Sequence, residues 1–380
     1  MKKIIILTSD GGGGNLSASN ALEGYLKDDY NVQSVHVFKD LLLSLDFVYV
    51  FSFKRYSGES LYNSFMPKKQ FRFIAVFYYI GILYIQLMSK KIRTILYNYF
   101  AQTKPDYILS VIPIINDIVL SIAQELDIPF LLIPTDLDTR MYILNIKNPS
   151  YKNFKICLPF HDKDILQPLI QSCISADYIS IVGAALKPNF FEPKNNDHLK
   201  EEFLIPPNKP IIMVMMGAQG SSELQRYAYH LLTIENPVHL LLCIGKNSNS
   251  KAALRNLTIP AHITISIIEY TQRIADLMTI SDIILSKSGS ISVCEAIYTN
   301  TPLLLDATST ILPWEKFNHT FIKTHQLGLS ITKHKNISPI VSNLISNAMQ
   351  LEEYKNNLKK IEKLDIKTHI KNCLKTLEIL

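Results

Sequence analysis

Two short stretches of small and polar residues have the chemistry to bind an anionic ligand. Residues 286–290, Ser-Lys-Ser-Gly-Ser, follow a run of Ile and Leu and precede an apolar helical pattern. Residues 8–15 contain four consecutive glycines in the same setting. Free N–H groups at a helix N-terminus favour phosphate oxygens, and glycine lets the backbone come close to them. Both stretches are therefore candidate phosphate-binding loops.

Neither stretch matches the common nucleotide motifs. The glycines are not followed by Gly-Lys-Ser/Thr, as in a P-loop, and they do not form G-x-G-x-x-G with an acidic partner. A tight turn between a strand and a helix is the alternative interpretation. In the second stretch, Glu295 falls one turn inside the expected helix, where its carboxylate could accept hydrogen bonds from ribose hydroxyls. A solvated acid near a helix N-terminus is the alternative there.

A regular alternation of strands and helices is expected to position these loops. Runs rich in Ile, Leu and Val predict strands at residues 4–8, 32–38, 107–111, 130–134, 211–216, 239–244, 263–267, 283–285 and 302–305. Such continuous apolar runs are typical of parallel strands covered on both faces. The pattern predicts an α/β protein of two Rossmann-like, doubly wound domains. Ligands bind beyond the carboxyl ends of parallel strands, so two such sheets facing each other would enclose a site in the cleft.

The domain boundary is predicted where five prolines and a charge run interrupt the pattern, within residues 187–210. We expect an N-terminal domain at 1–187 and a C-terminal domain at 188–340. Helices in 341–380 are expected to pack back towards the N-terminal domain. The first residues, MKKIIILTSD, are interpreted as a buried strand rather than a signal peptide.

Composition narrows the function classes. The five cysteines have no C-x-x-C or zinc-like spacing, which is typical of reduced thiols in the cytosol. The formal charge is +6, and nine Lys/Arg against one Glu lie between residues 51 and 105. These basic residues surround an apolar segment rather than following a groove, so nucleic-acid binding is not expected.

That apolar segment, residues 73–88, indicates a membrane surface. Its sixteen residues fall short of the ~20 that a spanning helix needs. Basic residues near an anionic leaflet contribute about 1 kcal/mol each. We therefore predict peripheral, monotopic attachment to the cytoplasmic face of an anionic membrane. A buried core helix is the alternative. The flanking residues expected to contact lipid headgroups are Lys68, Lys69, Arg72, Lys90, Lys91 and Arg93.

The segments SDIILSKSGSISVCEA, TPLLLD and LPWEKFN resemble the donor-binding signature of family 28 glycosyltransferases. Further matches occur in the family's order: SDGGGGNLSASNAL, KPDYILSVIP, PFLLIPTDLDT, VGAALKPNFFEP, MVMMGAQGSSEL and LLCIGKN. The monogalactosyldiacylglycerol synthase branch, with the bacterial diacylglycerol glucosyltransferases, fits best.

The resemblance implies a GT-B fold in which the C-terminal domain holds a UDP-sugar, UDP-glucose or UDP-galactose, and the N-terminal domain holds a lipid acceptor such as diacylglycerol. It implies no cofactor and no metal, so Asp136-x-Asp138 is not expected to bind manganese. The implied donor-binding residues are Gly217, Ala218, Gln219, Gly220, Gly245, Ser288, Gly289, Ser290, Ile291, Glu295, Trp314, Glu315 and Asn318. The implied acceptor-side loop comprises Gly12, Gly13, Gly14 and Asn15.

Three positions depart from the family pattern. Asn15 and Ile112 stand where the family and this branch usually have histidine, and Trp314 replaces a glutamine beside Glu315. Neither Asn15 nor Ile112 can take a proton from an acceptor hydroxyl. The carboxylates placed to act as base are Asp117 and Asp136, with Asp10 third; a helix N-terminal acid and a turn cap are equally good interpretations of the first two.

The function that this resemblance predicts is an inverting, membrane-associated hexosyltransferase that makes a glycolipid. Two alternatives stay open. One is a catalytically inactive protein that binds UDP-sugar or lipid, because both histidines are missing. The other is a non-hydrolysing UDP-N-acetylglucosamine 2-epimerase, which shares the GT-B architecture.

Overall fold

The computed structural model describes residues 1–11, 13–65, 71–217 and 220–377, which form two units. The first unit comprises Met1–Lys187 and Glu362–Leu380, and the second comprises Pro188–Ile361. The second unit thus runs about twenty residues beyond the boundary at 340 that the sequence suggested. Only the last helix returns to the first unit.

The first unit contains a parallel sheet with the strand order β2-β1-β3-β4-β5-β6. Its strands are β1 (Lys3–Thr8), β2 (Asn31–His36), β3 (Tyr107–Ser110), β4 (Phe130–Leu132), β5 (Phe154–Leu158) and β6 (Ile179–Ile181). The central strands are almost wholly buried, which is why they contain little but Ile, Leu and Phe.

The second unit contains a parallel sheet with the order β12-β11-β10-β7-β8-β9. Its strands are β7 (Ile211–Met215), β8 (Val238–Gly245), β9 (Ile263–Glu269), β10 (Ile283–Ser286), β11 (Leu303–Asp306) and β12 (Gly328–Ile331). The order reverses between β7 and β10, which lie side by side, so the sheet is doubly wound about that point.

Helices connect the strands and cover the sheets. In chain order they are α1 (Gly14–Leu26), α2 (Phe47–Phe51), α3 (Gly58–Phe65), α4 (Phe71–Leu87), α5 (Ser89–Thr103), α6 (Asn116–Leu126), α7 (Lys163–Gln171), α8 (Asn196–Glu202), α9 (Glu223–Leu231), α10 (Ser248–Arg255), α11 (Ile274–Thr279), α12 (Ser290–Tyr298), α13 (Lys316–Thr324), α14 (Ile337–Ser346), α15 (Ala348–Lys360) and α16 (Ile366–Thr376). In the first unit, α16 packs against α1 and buries Ile370 and Leu374. Its Cys373 Sγ lies 3.8 Å from Cys157 Sγ in β5.

All nine predicted strands are present, and β5, β6 and β12 are additional. One boundary differs clearly. β2 was expected to continue to residue 38 but ends at His36, because the chain turns into a π-helix at Val37–Leu41. The carboxylate of Asp40 accepts a hydrogen bond from the His36 N–H at 2.9 Å and holds that turn. His36 therefore lies at the carboxyl edge of the sheet.

Candidate functional site

The point where the second sheet reverses its order places two loops side by side. Met215 at the end of β7 pairs with Ser286 at the end of β10. The chain then leaves β7 towards β8 on one side and β10 towards β11 on the other. This divergence opens a crevice beyond the strands, the usual ligand site of doubly wound sheets. The donor-binding residues that were named from the sequence and that the structure describes lie at the end of, or after, one of the strands β7, β8, β10 or β11.

The loop after β10 ends in a helix N-terminus with open space beside it. Gly289 is the N-cap of α12, with extended backbone angles (φ −67°, ψ 135°). A Cβ added to Gly289 would meet no described atom within 4 Å beyond its chain neighbours. Ser290 and Ile291 begin the helix, and Glu295 follows, half-buried, in its second turn. The first N–H groups of α12 are thus placed to bind an anion.

Asn318 holds this loop from the first turns of α13. Its side chain is 0% exposed. Its Nδ2 donates to the Ser288 carbonyl oxygen at 2.6 Å and to Ser290 Oγ at 2.9 Å. A buried amide that is fully paired in this way fixes the geometry of the groups around it. Asn318 therefore positions the loop, and its amide does not face open solvent.

A carboxylate and a cation adjoin the same loop. Ser288 Oγ donates to Glu315 Oε2 at 3.0 Å. Burial raises the pKa of Glu315, and the nearby Lys287 ammonium partly opposes that rise. Trp314 is half-buried in the 3-10 turn Pro313–Glu315 that leads into α13. The sequence interpretation assigned Lys287 no role, although its place between a strand end and a Ser-Gly loop was a usable signal.

Glycines bring the neighbouring loops close together. Gly217 (φ +84°) lies against Lys287, since an added Cβ would be 2.9 Å from Lys287 Cε. Gly220 (φ +73°) lies against the end of β8, where an added Cβ would be 2.2 Å from the Ile244 carbonyl oxygen. Gly245 (φ +61°) ends β8 itself. Ala218 and Gln219, also expected to bind the donor, lie outside the described residues.

The glycine loop of the first unit is more open. Gly13 (φ +85°) is the N-cap of α1 and Gly14 its first residue, while Gly12 lies outside the described residues. Asn15 Nδ2 donates to Ser9 Oγ at 2.8 Å, and its Oδ1 accepts from Thr135 Oγ1 at 2.8 Å. Asn15 therefore ties the loop after β1 to the loop after β4.

The three candidate bases have different surroundings. Asp136 accepts from Tyr142 OH at 3.3 Å, and Tyr142 OH lies 2.7 Å from Thr135 Oγ1, which joins Asp136 to the Asn15 network. Asp117 lies in the first turn of α6 and accepts a hydrogen bond from Asn145 Nδ2 at 3.1 Å, and burial raises its pKa.

Two further positions bear on the sequence expectations. Ile112 is fully buried, so position 112 belongs to the core in this chain. Asp138 is bound by the guanidinium of Arg140 at 2.7 and 2.8 Å. The second acid of the Asp136-x-Asp138 pair therefore already has a cationic partner.

Asp10, the third candidate, belongs to a polar cluster that the sequence did not reveal. Its Oδ1 lies 2.7 Å from His36 Nδ1, and its Oδ2 lies 3.9 Å from Lys39 Nζ. Its N–H donates to Glu59 Oε1 at 2.9 Å, and burial raises the pKa of Glu59. His36 comes beside this loop because β1 and β2 pair in register, Thr8 with His36. Glu59 lies on α3, and no local sequence pattern indicates its contact with Asp10.

The first unit also exposes apolar side chains along one face of α4. They recur at helical spacing: Phe73, Val76, Ile80, Leu83 and Leu87. The segment that ends α2 adds Phe51 and Phe53, which are 82% and 95% exposed, next to the exposed Lys54 and Arg55. Ile74 and Ile82 on the other face of α4 are buried. The helix thus has a packed face and an apolar outer face.

The basic residues named beside α4 are only partly described. Lys90 and Lys91 are exposed, whereas Arg93 pairs with Glu125. Lys68, Lys69 and the side chain of Arg72 lie outside the described part. Within the described residues, no single helix has the length and apolarity to cross a bilayer; Phe73–Leu87 and Ser89–Thr103 meet that test only as a pair, bent by 71°.

Residues 211–307, from β7 through β11, match the glycosyltransferase family 28 C-terminal domain. The chain is 25% identical to the processive diacylglycerol beta-glucosyltransferase of Bacillus licheniformis over 183 residues, 48% of this chain and 47% of that protein. It is 24% identical to monogalactosyldiacylglycerol synthase 3 of Arabidopsis thaliana over 377 residues, 91% of this chain and 75% of the relative. The chain thus spans about half the length of the first of these relatives.

Solved structures share the fold at low identity. MurG of Acinetobacter baumannii has a TM-score of 0.61 at 12% identity, covering 100% of both chains. MnaA of S. aureus, determined with UDP, has a TM-score of 0.59 at 16% identity, covering 100% of this chain and 98% of its own. The predicted GT-B fold class and the family resemblance are both confirmed.

Proposed function

We propose that this chain, which carries a glycosyltransferase family 28 C-terminal domain, transfers a hexose from UDP-glucose or UDP-galactose to a lipid acceptor such as diacylglycerol at a membrane surface. The observation that carries the proposal is the loop after β10. It combines a free helix N-terminus at Gly289, a half-buried lysine and a buried amide that fixes its shape. The names of the family 28 relatives supply the substrate classes.

The chemistry asked of this loop is stabilisation of a leaving diphosphate. When the bond between the anomeric carbon and the phosphate oxygen breaks, negative charge builds up on UDP. The N–H groups at the start of α12 and the Lys287 ammonium are placed to stabilise it. Glu295, in the second turn of the same helix, is assigned to the ribose hydroxyls. No metal is needed in this scheme, and transfer should proceed unchanged in EDTA.

A lipid acceptor is supported by the outer face of the first unit. The α4 stripe and the Phe51–Phe53 turn present apolar side chains beside Lys54, Arg55, Lys90 and Lys91. Apolar side chains that enter the acyl boundary, with lysines and arginines at headgroup level, are the chemistry of peripheral membrane binding. The same proposal includes two further points. The protein binds the cytoplasmic face of the membrane, and the reaction inverts the configuration at the anomeric carbon.

The direct test is transfer of labelled hexose. Purified protein is incubated with diacylglycerol liposomes and labelled UDP-glucose, UDP-galactose or UDP-N-acetylglucosamine, and the lipids are separated. We expect labelled glycolipid from one hexose donor. If UDP binds but no lipid becomes labelled, the chain is the inactive binding protein that Asn15 and Ile112 suggest. Formation of UDP-N-acetylmannosamine from the third donor would instead support the epimerase.

Glu295→Ala tests the placement of the nucleotide. Loss of the ribose contact should lower the affinity for UDP about tenfold, measured by calorimetry. Unchanged affinity would mean that the nucleotide does not bind at α12.

The membrane surface is tested by vesicle co-sedimentation. Burying one phenylalanine contributes about 1.5–3 kcal/mol, so the double variant Phe51→Glu/Phe53→Glu should weaken binding to phosphatidylglycerol vesicles at least tenfold. Leu204→Glu, at an exposed position of the second unit, is the matched control and should bind as wild type. Binding by wild type should also fall as salt rises. If the double variant pellets like wild type, this face is not the membrane surface.

A further inference from the structure

We infer that His36, oriented by Asp10, is the general base of the reaction, an inference that rests on the proposed function. His36 ends β2 and Asp10 follows β1, directly before the glycine loop that leads into α1. Asp10 Oδ1 lies 2.7 Å from His36 Nδ1. Asn15, in this glycine loop, occupies the position where the family usually has histidine. The imidazole of His36 therefore lies beside the loop that lacks that histidine.

The two ring nitrogens of His36 have different roles in this arrangement. A carboxylate against Nδ1 favours the tautomer with its proton on Nδ1, which leaves the lone pair on Nε2. No described residue hydrogen-bonds Nε2, and the side chain is 27% exposed. A half-exposed imidazole whose Nδ1 lies beside a carboxylate can take a proton from a bound hydroxyl through Nε2.

Charged groups face His36 from several elements of the first unit. Asp10, Asp40 and Glu59 face it from the loop after β1, the π-helix and α3, and Lys39 lies on the outer side of Asp10. Glu59 holds the backbone of Asp10 in place by accepting a hydrogen bond from its N–H. Asp10 and Glu59 are therefore positioning residues, and His36 is the residue that would touch the acceptor.

The step balances without any further reagent. The acceptor oxygen attacks the anomeric carbon of the hexose, and an O–C bond forms. The bond between that carbon and the diphosphate oxygen breaks, and its electron pair leaves with UDP. The hydroxyl proton moves to His36 Nε2, and the imidazolium is stabilised by Asp10 until the proton passes to solvent.

The test compares His36→Asn with wild type in the labelled transfer assay. Asparagine carries an amide that can donate to Asp10 but cannot accept the proton, so we expect the turnover rate to fall 10²- to 10⁴-fold with UDP affinity unchanged. His36→Ala should regain part of its activity with added imidazole. Asp10→Asn should lower the turnover rate and shift the acidic limb of the pH profile. His161→Asn, at an exposed position of the first unit, is the matched control and should keep the wild-type rate.

The possible outcomes separate this inference from the proposed function. If wild type transfers label and His36→Asn transfers it equally well, only the role of His36 is overturned. Asp117 and Asp136 would then be the remaining candidates for the base. Loss of activity in both His36 variants, with no rescue by imidazole and with UDP affinity lost as well, would make His36 a structural residue. Absence of transfer by wild type to any lipid would overturn the proposed function and the base together.

Discussion

The glycine loops of the two sheets share a position at a strand end but differ in how tightly they are held. In the second unit, Ser288, Ser290 and Asn318 are buried and hydrogen-bonded to one another. In the first unit, Ser9 and Thr135 are also buried, but Asn15 is half-buried and the side chain of Asp10 is 34% exposed. The glycines differ by loop: Gly220, after β7, has no room for a side chain, whereas Gly289 of the second unit and Gly13 of the first both have open space.

In the proposed function, the second unit binds the donor and the first unit binds the acceptor, and this contrast between their loops fits those roles. A rigid, preorganised loop binds a nucleotide diphosphate at a low cost in entropy. A lipid hydroxyl arrives from a membrane in a less fixed orientation. A loop in which Asn15 and Asp10 are only half-buried tolerates that variation.

The largest expected effect is on the stability of the second unit. Gly220→Ala combines a left-handed backbone with a Cβ placed 2.2 Å from a carbonyl oxygen, so it should destabilise the fold by roughly 3–5 kcal/mol. Gly13→Ala has the same kind of backbone but open space, and should cost only about 1–2 kcal/mol. Urea unfolding of both variants measures the difference. Equal losses would mean that the two loops are held alike.

The next effect is on turnover. Lys287→Met removes the cation beside the expected diphosphate and should reduce the transfer rate about 100-fold. Lys27→Met, which removes an exposed charge from α1's C-terminal end in the first unit, is the control and should have the wild-type rate. A Lys287→Met enzyme of normal rate would place the leaving group away from the loop after β10.

A smaller effect is expected at the buried amide. Asn318→Ala leaves the Ser288 carbonyl oxygen without its partner and should destabilise the fold by about 1–3 kcal/mol. Asn15→Ala also removes two hydrogen bonds, but at a half-buried position, and should cost less than about 1 kcal/mol. Thermal unfolding compares the two. An Asn15 loss as large as that of Asn318 would remove the contrast between the loops.

The smallest effect is a pH dependence at Glu315. Its folded-state pKa is raised by burial, so the folded protein resists its ionisation more than the unfolded chain does. Stability relative to Glu315→Gln should therefore fall as the pH rises from about 4, the unfolded pKa, through the raised folded value. It should then stay constant. Melting temperatures of both proteins between pH 4 and 8 check this, and a difference independent of pH would contradict it.

The sequence predicted nine strands, most of them runs of apolar residues, and missed three. β5 contains a lysine, β6 has only three residues, and β12 begins with glycine and contains serine. Their place in the sheets depends on the pairing of β5 with β4, of β6 with β5 and of β12 with β11, between segments that are separated along the chain. The β10 loop was identifiable because its small residues are adjacent in the chain.

The residues around the loops were predictable only where a motif named them. Glu315 and Asn318 were assigned by resemblance, and the structure brings both to Ser288. Lys287 had a local signal that was not used. His36 and Glu59 had none, since each reaches Asp10 through tertiary structure: His36 through strand register and Glu59 through the packing of α3. Contacts of this kind depend on the whole fold.

The return of α16 to the first unit has a consequence for biosynthesis. Ile366, Ile370 and Leu374 are part of the first unit's core, yet the ribosome makes them after all of residues 188–361. At about 5–20 residues per second, the second unit can close while the first still lacks its last helix. The nascent chain therefore carries an uncovered apolar groove beside α1 and β5 for several seconds. During that time the groove is open to chaperones and to premature association with other chains.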